Sequence, residues 1–295
     1  MNQILERTAV VLAAGGERVV PWEIGVLAGF ADAGLDLRRA GLISGTSAGA
    51  LVAARLALGI DQGDHADRIA RNGAPDPPGD LVARAASVLP ALLELDARTR
   101  SLDQRERLRR IGRFALDART ITEQEHVAAV TSRVPTGDWP AALRLRAIDA
   151  RTGELIRLDA GSSIAVARGV AAARAVPGVL PAVRVGERRL VDAAAASGTN
   201  ADTAIAEGIE RALVITAAGR DAPAGTLDAA LDAGVSAELD AVRERGVVVE
   251  VIRADAEARA AMGDELYRIV DARAAVDAGR RAGRASAAAL APLAA

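Results

Sequence analysis

The sequence predicts an α/β fold, a mostly parallel sheet covered by helices. Three observations predict it. Short β-branched and apolar runs recur between helix-forming stretches, as in residues 8–13 (TAVVLA), 212–216 (ALVIT) and 247–252 (VVVEVI). The first such run, and the shorter one at Leu42 and Ile43, each lead into a glycine-containing loop and then a helix, which is how a parallel sheet opens. The chain, 295 residues long and 51% hydrophobic, has ample material for a buried core.

Taken in order, residues 8–13 read as a buried strand and Ala14-Gly15-Gly16 as a tight loop. Pro21 suits the first turn of a helix through Ala33, stopped near Gly34. Residues 41–59 (GLISGTSAGALVAARLALG) then read as strand, sharp turn and helix, with Ser47 at the apex. Residues 61–71 look helical, and 72–80 form a proline-rich loop. Residues 81–133 are mostly helical, with breaks near Thr99 and Thr120; Thr122 and Glu125 suit a capping box. Strands follow at 143–149 and 154–158 about a Thr152-Gly153 turn, and a helix at 162–174 ends before Pro177. Short strands at 183–185 and 189–191 flank Gly186, with Asp192 at the end of the second. A short helix at 201–208, a helix at 227–245 between the last two strands, and a terminal helix at 266–290 complete the reading; the tail from Ala291 is expected to fray.

Composition removes several function classes. Without cysteine there is no disulfide, thiol catalysis or zinc–thiolate site. Without lysine there is no Walker-type phosphate lysine and no Schiff base. A net charge of −2 and 2% aromatic residues argue against a nucleic-acid partner. The start of the chain lacks a secretory pattern, and no apolar run spans a bilayer, so a cytoplasmic location is expected.

Gly45-Thr46-Ser47-Ala48-Gly49 carries the chemistry. A Gly-x-Ser-x-Gly elbow needs small residues because side chains beside the strained serine would strike the strand and helix it joins. The helix start offers N–H groups and a positive dipole end beside Ser47. A glycine-rich turn that merely contains a serine is the alternative; the flanking strand and helix favour a nucleophile. Such a serine needs a base. The histidines, His65 and His126, lie in polar helical surroundings and read as surface residues; no histidine follows Asp192, although a rearranged triad with one of them is a possibility. A Ser47–Asp192 dyad is simpler, with backbone N–H groups of the residue 14–16 loop facing the oxyanion. Asp192 as a mere turn cap is the alternative.

These stretches resemble the patatin-like phospholipases, over most of the chain. AAGGERVVPWEIGVLAGFADAG resembles the family's glycine-rich loop and first helix, GTSAG its nucleophile elbow, and AVPGVLPAVRVGERRLVDAAAASGTNAD the segment with its catalytic aspartate. The resemblance implies a three-layer α/β/α sandwich and hydrolysis of acyl esters, often lipids, without metal or organic cofactor. It makes Ser47 the nucleophile, Asp192 the base, and the N–H groups of Gly15 and Gly16 the oxyanion donors. Ala14, Arg18, Gly45, Gly49 and Ala193 support the motifs.

The family's Gly-x-Gly-x-x-Gly falls on Ala14, Gly15, Gly16, Glu17, Arg18 and Val19, and keeps only Gly16 of its three glycines. A β-branched residue does not tolerate positive φ. If that position takes positive φ, Val19 is therefore expected to re-route the loop, and Val19→Gly with Ala14→Gly to raise turnover. A catalytically weakened module binding acyl lipid or protein is the second reading. The expected organisation is one domain over 1–295 with a largely helical insert at about 61–133. The expected partner is an acyl-ester or lipid substrate, with peripheral membrane contact; oligomeric state is left open.

Overall fold

The protein is described from a computed structural model covering residues 2–75, 79–218 and 227–290. The expected fraying from Ala291, and part of the proline-rich loop, lie outside the described residues. The fold is mixed α/β, with a mostly parallel sheet. Strands β1 (Thr8–Leu12), β2 (Leu42–Gly45), β3 (Leu143–Asp149), β4 (Leu155–Leu158), β5 (Val183–Val185), β6 (Arg188–Asp192), β7 (Arg211–Thr216) and β8 (Val248–Arg253) make one sheet. They are bonded in the order β5-β6-β3-β2-β1-β7-β8, with β4 also on β3. The β1, β2, β3, β7 and β8 pairings are parallel. Those of β4, β5 and β6 are antiparallel.

Alternation along the strands divides the core between two faces. Val10, Leu12, Ile43 and Ile215 pack on one side, with helices α2 (Val20–Asp32), α3 (Ala48–Ala57), α8 (Val166–Ala173) and α12 (Ala272–Leu290). Ala9, Val11, Leu42 and Val214 pack on the other, against Val235, Leu239 and Val242 of α10 (Leu227–Glu244). Both faces of β1 are therefore covered, and all five of its residues are buried.

Between α3 and β3 stand four helices: α4 (Gln62–Asn72), α5 (Gly79–Thr99), α6 (Gln104–Asp117) and α7 (Glu123–Thr131). The α7 capping box forms, with the Glu125 N–H donating to Thr122 and the Thr122 N–H donating back to Glu125. Two sequence readings need correction. The terminal helix starts at Ala272, because Asp271 caps it by accepting the Ala274 N–H at 2.9 Å. Before it comes a separate short helix, α11 (Ala256–Met262), ended by Gly263 at φ 75°. His65 and His126 are buried, not surface residues, at 5% and 4% exposed. Each lies on the inward face of a helix whose other face is polar, which local composition hides.

The register around β3 positions the site. Leu145 pairs with Gly45 and with Leu158, and Ala147 pairs with Ile156 and with Asp192. A strand has two edges, and β4 occupies one along both residues. So β2 and β6 share the other edge, one after the other, and run toward each other. Their last residues, Gly45 and Asp192, end two positions apart along β3, about 7 Å of strand.

Candidate active site

The turn after β2 is tightly built. Ser47 has φ 55° and ψ −118°, a conformation that costs a non-glycine residue of order 1–3 kcal/mol. It is 7% exposed. A Cβ on Gly45 would lie 2.2 Å from the Gly49 carbonyl oxygen, and one on Gly49 would lie 2.3 Å from that of Leu12. Both glycines are therefore required by backbone contact, and they hold the strained serine between strand and helix.

Asp192 ends β6 and is 1% exposed. Its N–H donates to the Ala175 carbonyl at 3.0 Å, which ties it to the end of α8. Its Oδ1 accepts the Ala194 N–H at 2.8 Å, so the turn-capping reading is correct for that oxygen. The other oxygen, Oδ2, has no partner of full hydrogen-bond geometry among the described residues. The Ser47 hydroxyl nevertheless lies near enough to favour the charged carboxylate. Burial pushes the Asp192 carboxyl up to about 6, against the opposing influence of the Ser47 hydroxyl, the Ala194 N–H and the Arg174 charge. Ala193 follows in a tight turn that Asp192 caps, and it is fully buried.

The residue 14–16 loop leaves β1 beside this pair. Ala14 donates its N–H to the Gly198 carbonyl at 2.8 Å. The N–H groups of Gly15 and Gly16 have no partner among the described residues. Gly16 has φ 79° and ψ −178°, a region open essentially to glycine alone. A Cβ there would lie 2.2 Å from the Leu266 carbonyl oxygen. Val19 does not occupy such a position. Its φ is −84° and ψ −18°, ordinary right-handed helix, so the loop has no need to re-route around it. Its side chain lies against Gly15, where an added Cβ would meet Val19 Cγ1 at 2.4 Å. Arg18 is fully buried and donates to the Gly15 carbonyl at 3.2 Å and to the Gly263 carbonyl. It braces the loop from beneath.

Sequence reasoning missed the polar frame around these residues. Asn200, at φ 51°, donates to the Thr46 hydroxyl at 2.9 Å, and its N–H donates to Ser197 at 2.6 Å. Glu238 accepts the N–H groups of Gly198 and Thr199 at 2.9 and 3.2 Å. The 197–200 turn thus joins the glycine loop, through Ala14, to the serine elbow, through Thr46. Glu17 forms a two-pronged ion pair with Arg133 at 2.8 and 2.9 Å and a second with Arg174. Burial opposes its charge, but the two arginines outweigh burial and hold the carboxyl at about 2. The buried Glu23 has no partner for either oxygen among the described residues, and burial raises its carboxyl well above the usual range. The serine and asparagine of SGTN after Asp192 were the one visible signal for this frame.

The two histidines stand apart from the pair. His126 Nε2 contacts the Ala171 carbonyl at 3.0 Å, and His65 lines a separate cavity. Among the described residues neither ring bonds Ser47 or Asp192. No set of three His, Asp or Glu side chains among them is grouped to hold a metal ion, and no described helix is long and apolar enough to cross a membrane.

The family model for patatin-like phospholipases matches residues 10–205, from β1 through the helix α9 (Thr203–Ala206). Among solved structures, the type III effector protein ExoU aligns with 96% of this chain and 53% of its own, at 14% identity and a TM-score of 0.42. VipD from Legionella pneumophila aligns with 96% of this chain and 66% of its own, at 12% identity and a TM-score of 0.41. The chain therefore spans about half to two thirds of the length of these two proteins. No curated protein sequence matches it. The matched segment holds the strand, loop, elbow and aspartate described above, and this chain belongs to the patatin-like phospholipase family.

Proposed function

We propose that the chain is a serine acyl-ester hydrolase acting on lipid or related acyl esters through a Ser47–Asp192 dyad. The observation that carries this reading is the strained Ser47 held beside the buried Asp192 carboxyl. Ser47 Oγ attacks the ester carbonyl carbon while Asp192 takes the hydroxyl proton. The negative charge that develops on the carbonyl oxygen faces the N–H groups of Gly15 and Gly16 and the amino end of α3. Collapse expels the alcohol, which carries away the proton held by Asp192. Water then attacks the acyl-serine, giving a proton to Asp192; collapse breaks the bond to Ser47 Oγ, which takes that proton back, and releases the carboxylic acid. A carboxylate is ordinarily a weak base toward a serine hydroxyl. Raising Asp192 toward 6 narrows that gap.

The unpartnered N–H groups of Gly15 and Gly16 favour this reading over a weakened binding module. So does the ordinary backbone at Val19. The chain forms one patatin-like unit in this proposal, with the four helices of residues 62–131 as its insert. A fluorophosphonate probe tests the reading. Wild-type protein is expected to be labelled at Ser47, identified by peptide mass, and Ser47→Ala to show no label while its circular dichroism is unchanged. Absence of labelling in folded wild-type protein at high probe concentration would sink the hydrolase and leave the binding module.

A further inference from the structure

A second group of polar side chains adjoins Glu17. A cavity of about 630 Å³ is walled by residues from α3, α4, the end of α7 and the segment before α12. Neither Ser47 nor Asp192 lines it. Arg55, Arg68, Arg133 and Arg268 do, together with His65 and, among the described residues, a single carboxylate, Glu17. Arg133 is paired with Glu17 and Arg268 with Glu265. Arg55 and Arg68 form no ion pair or side-chain hydrogen bond among the described residues. Among the described residues the Arg55 Nε is buried without a partner, and so is Nδ1 of His65. The rest of the wall is largely apolar, including Val20, Pro21 and Ile69.

Like charges gathered without counter-charge destabilise a fold, and a buried unpartnered donor adds to the cost. The effect is visible in this cluster. Burial first, then the charges of Arg133 and Arg68, lower the Arg55 guanidinium to about 10. Burial first, then Arg55, Arg68 and Arg133, lower the His65 imidazole to about 4. One anion resolves both problems. Guanidinium groups present planar forks suited to the oxygens of phosphate.

We infer that this cavity is an anion site for a phosphate group, held by Arg55 and Arg68 with His65 Nδ1 as a third contact. The shared chemistry is a phosphate monoester or inorganic phosphate; the apolar wall beside the arginines suits a phosphate that carries acyl chains. The site stands whether or not Ser47 is a nucleophile. Its link to the glycine loop is Glu17, which follows Gly16 and holds Arg133 of the cavity and Arg174 near Asp192.

The two histidines make the test direct, because one lines the cavity and the other does not. Ring resonances of full-length Ser47→Ala protein are followed against pH, with inorganic phosphate, with monomeric dihexanoyl phosphatidic acid, or with chloride at equal ionic strength. Bound phosphate offsets the arginine charges, so the His65 titration is expected to move up by at least about one pH unit while His126 stays within a few tenths. Affinity for the lipid phosphate about tenfold above inorganic phosphate identifies a lipid headgroup site, and equal affinities identify a free-phosphate site. Arg55→Gln with Arg68→Gln is expected to weaken either ligand at least about tenfold. With the like charges gone, its unliganded melting temperature should be no lower than that of the parent. No His65 shift beyond the chloride control overturns the inference, as does a folded double variant that binds as tightly as the parent. If the double variant does not fold, the titration of the parent protein still decides.

Discussion

Asp192→Asn is expected to lower turnover of an activated ester by about 10²–10⁴-fold and at the same time to make the protein more stable at neutral pH. The two effects have one cause. Burial raises the folded-state carboxyl from 3.8 to about 6. A group whose folded pKa is raised contributes stability only while protonated. That contribution is complete below about 4 and is lost as pH rises to about 6, so at pH 7 the charged Asp192 costs about 3 kcal/mol. Asparagine removes the charge and keeps an oxygen for the Ala194 N–H. Denaturant unfolding should show a gain of about 2–3 kcal/mol at pH 7 that disappears at pH 4. A gain of equal size at both pH values would mean that packing, not charge, is responsible. In the wild type, the rate of Ser47 labelling should rise with pH through about 6 and then level off, because only the carboxylate accepts the proton.

Val19→Gly is expected to do harm, the reverse of what the glycine pattern alone suggests. Glycine is needed where φ is positive, and Val19 sits at φ −84°. The substitution removes a side chain that is 1% exposed and that fills the space beside Gly15. Loss of the buried isopropyl group, the resulting hole and the added freedom of the unfolded chain together are expected to cost about 2–4 kcal/mol. The loop that carries the Gly15 and Gly16 N–H groups then loses a wall. In the proposed mechanism its donors serve the charged intermediate more than the bound ester, so turnover should fall about tenfold with KM little changed. Val19→Ala should lie between the two. Unchanged stability, or a rise in turnover for Val19→Gly, would show that the valine does not support the loop.

Much of this was legible in the chain. Strands such as β1 and β7 were readable because each is a short apolar or β-branched run, and the Thr122–Glu125 box because capping is local chemistry. The elbow was readable because close backbone contact leaves no substitute for Gly45 and Gly49, and sterics of that kind act over five residues. Family membership was legible from the same segments. The histidines were misread for an equally physical reason. His65 and His126 lie among charged neighbours in sequence, yet each points to the buried side of its helix. The partner that buries a helix face is not written in that helix.

What the sequence by itself determined is therefore the local geometry: which residues make strands, where the chain must turn, and that Ser47 stands at a strained apex. Only the tertiary structure decided what meets what. Ser47 and Asp192 are 145 residues apart, and the strands that lead to them are brought together because β2 and β6 end against the same edge of β3. That register depends on β4 taking the other edge, a choice made by pairing among four strands and not by any one of them. The backbone of the glycine loop was also a tertiary matter. A sequence pattern names the residue at each position, but φ at Val19 is set by how the first turn of α2 packs beneath the sheet. The same holds for charge. Arginines spread over the chain at 55, 68, 133 and 268 become a cluster only when their helices and connecting segments converge on one cavity.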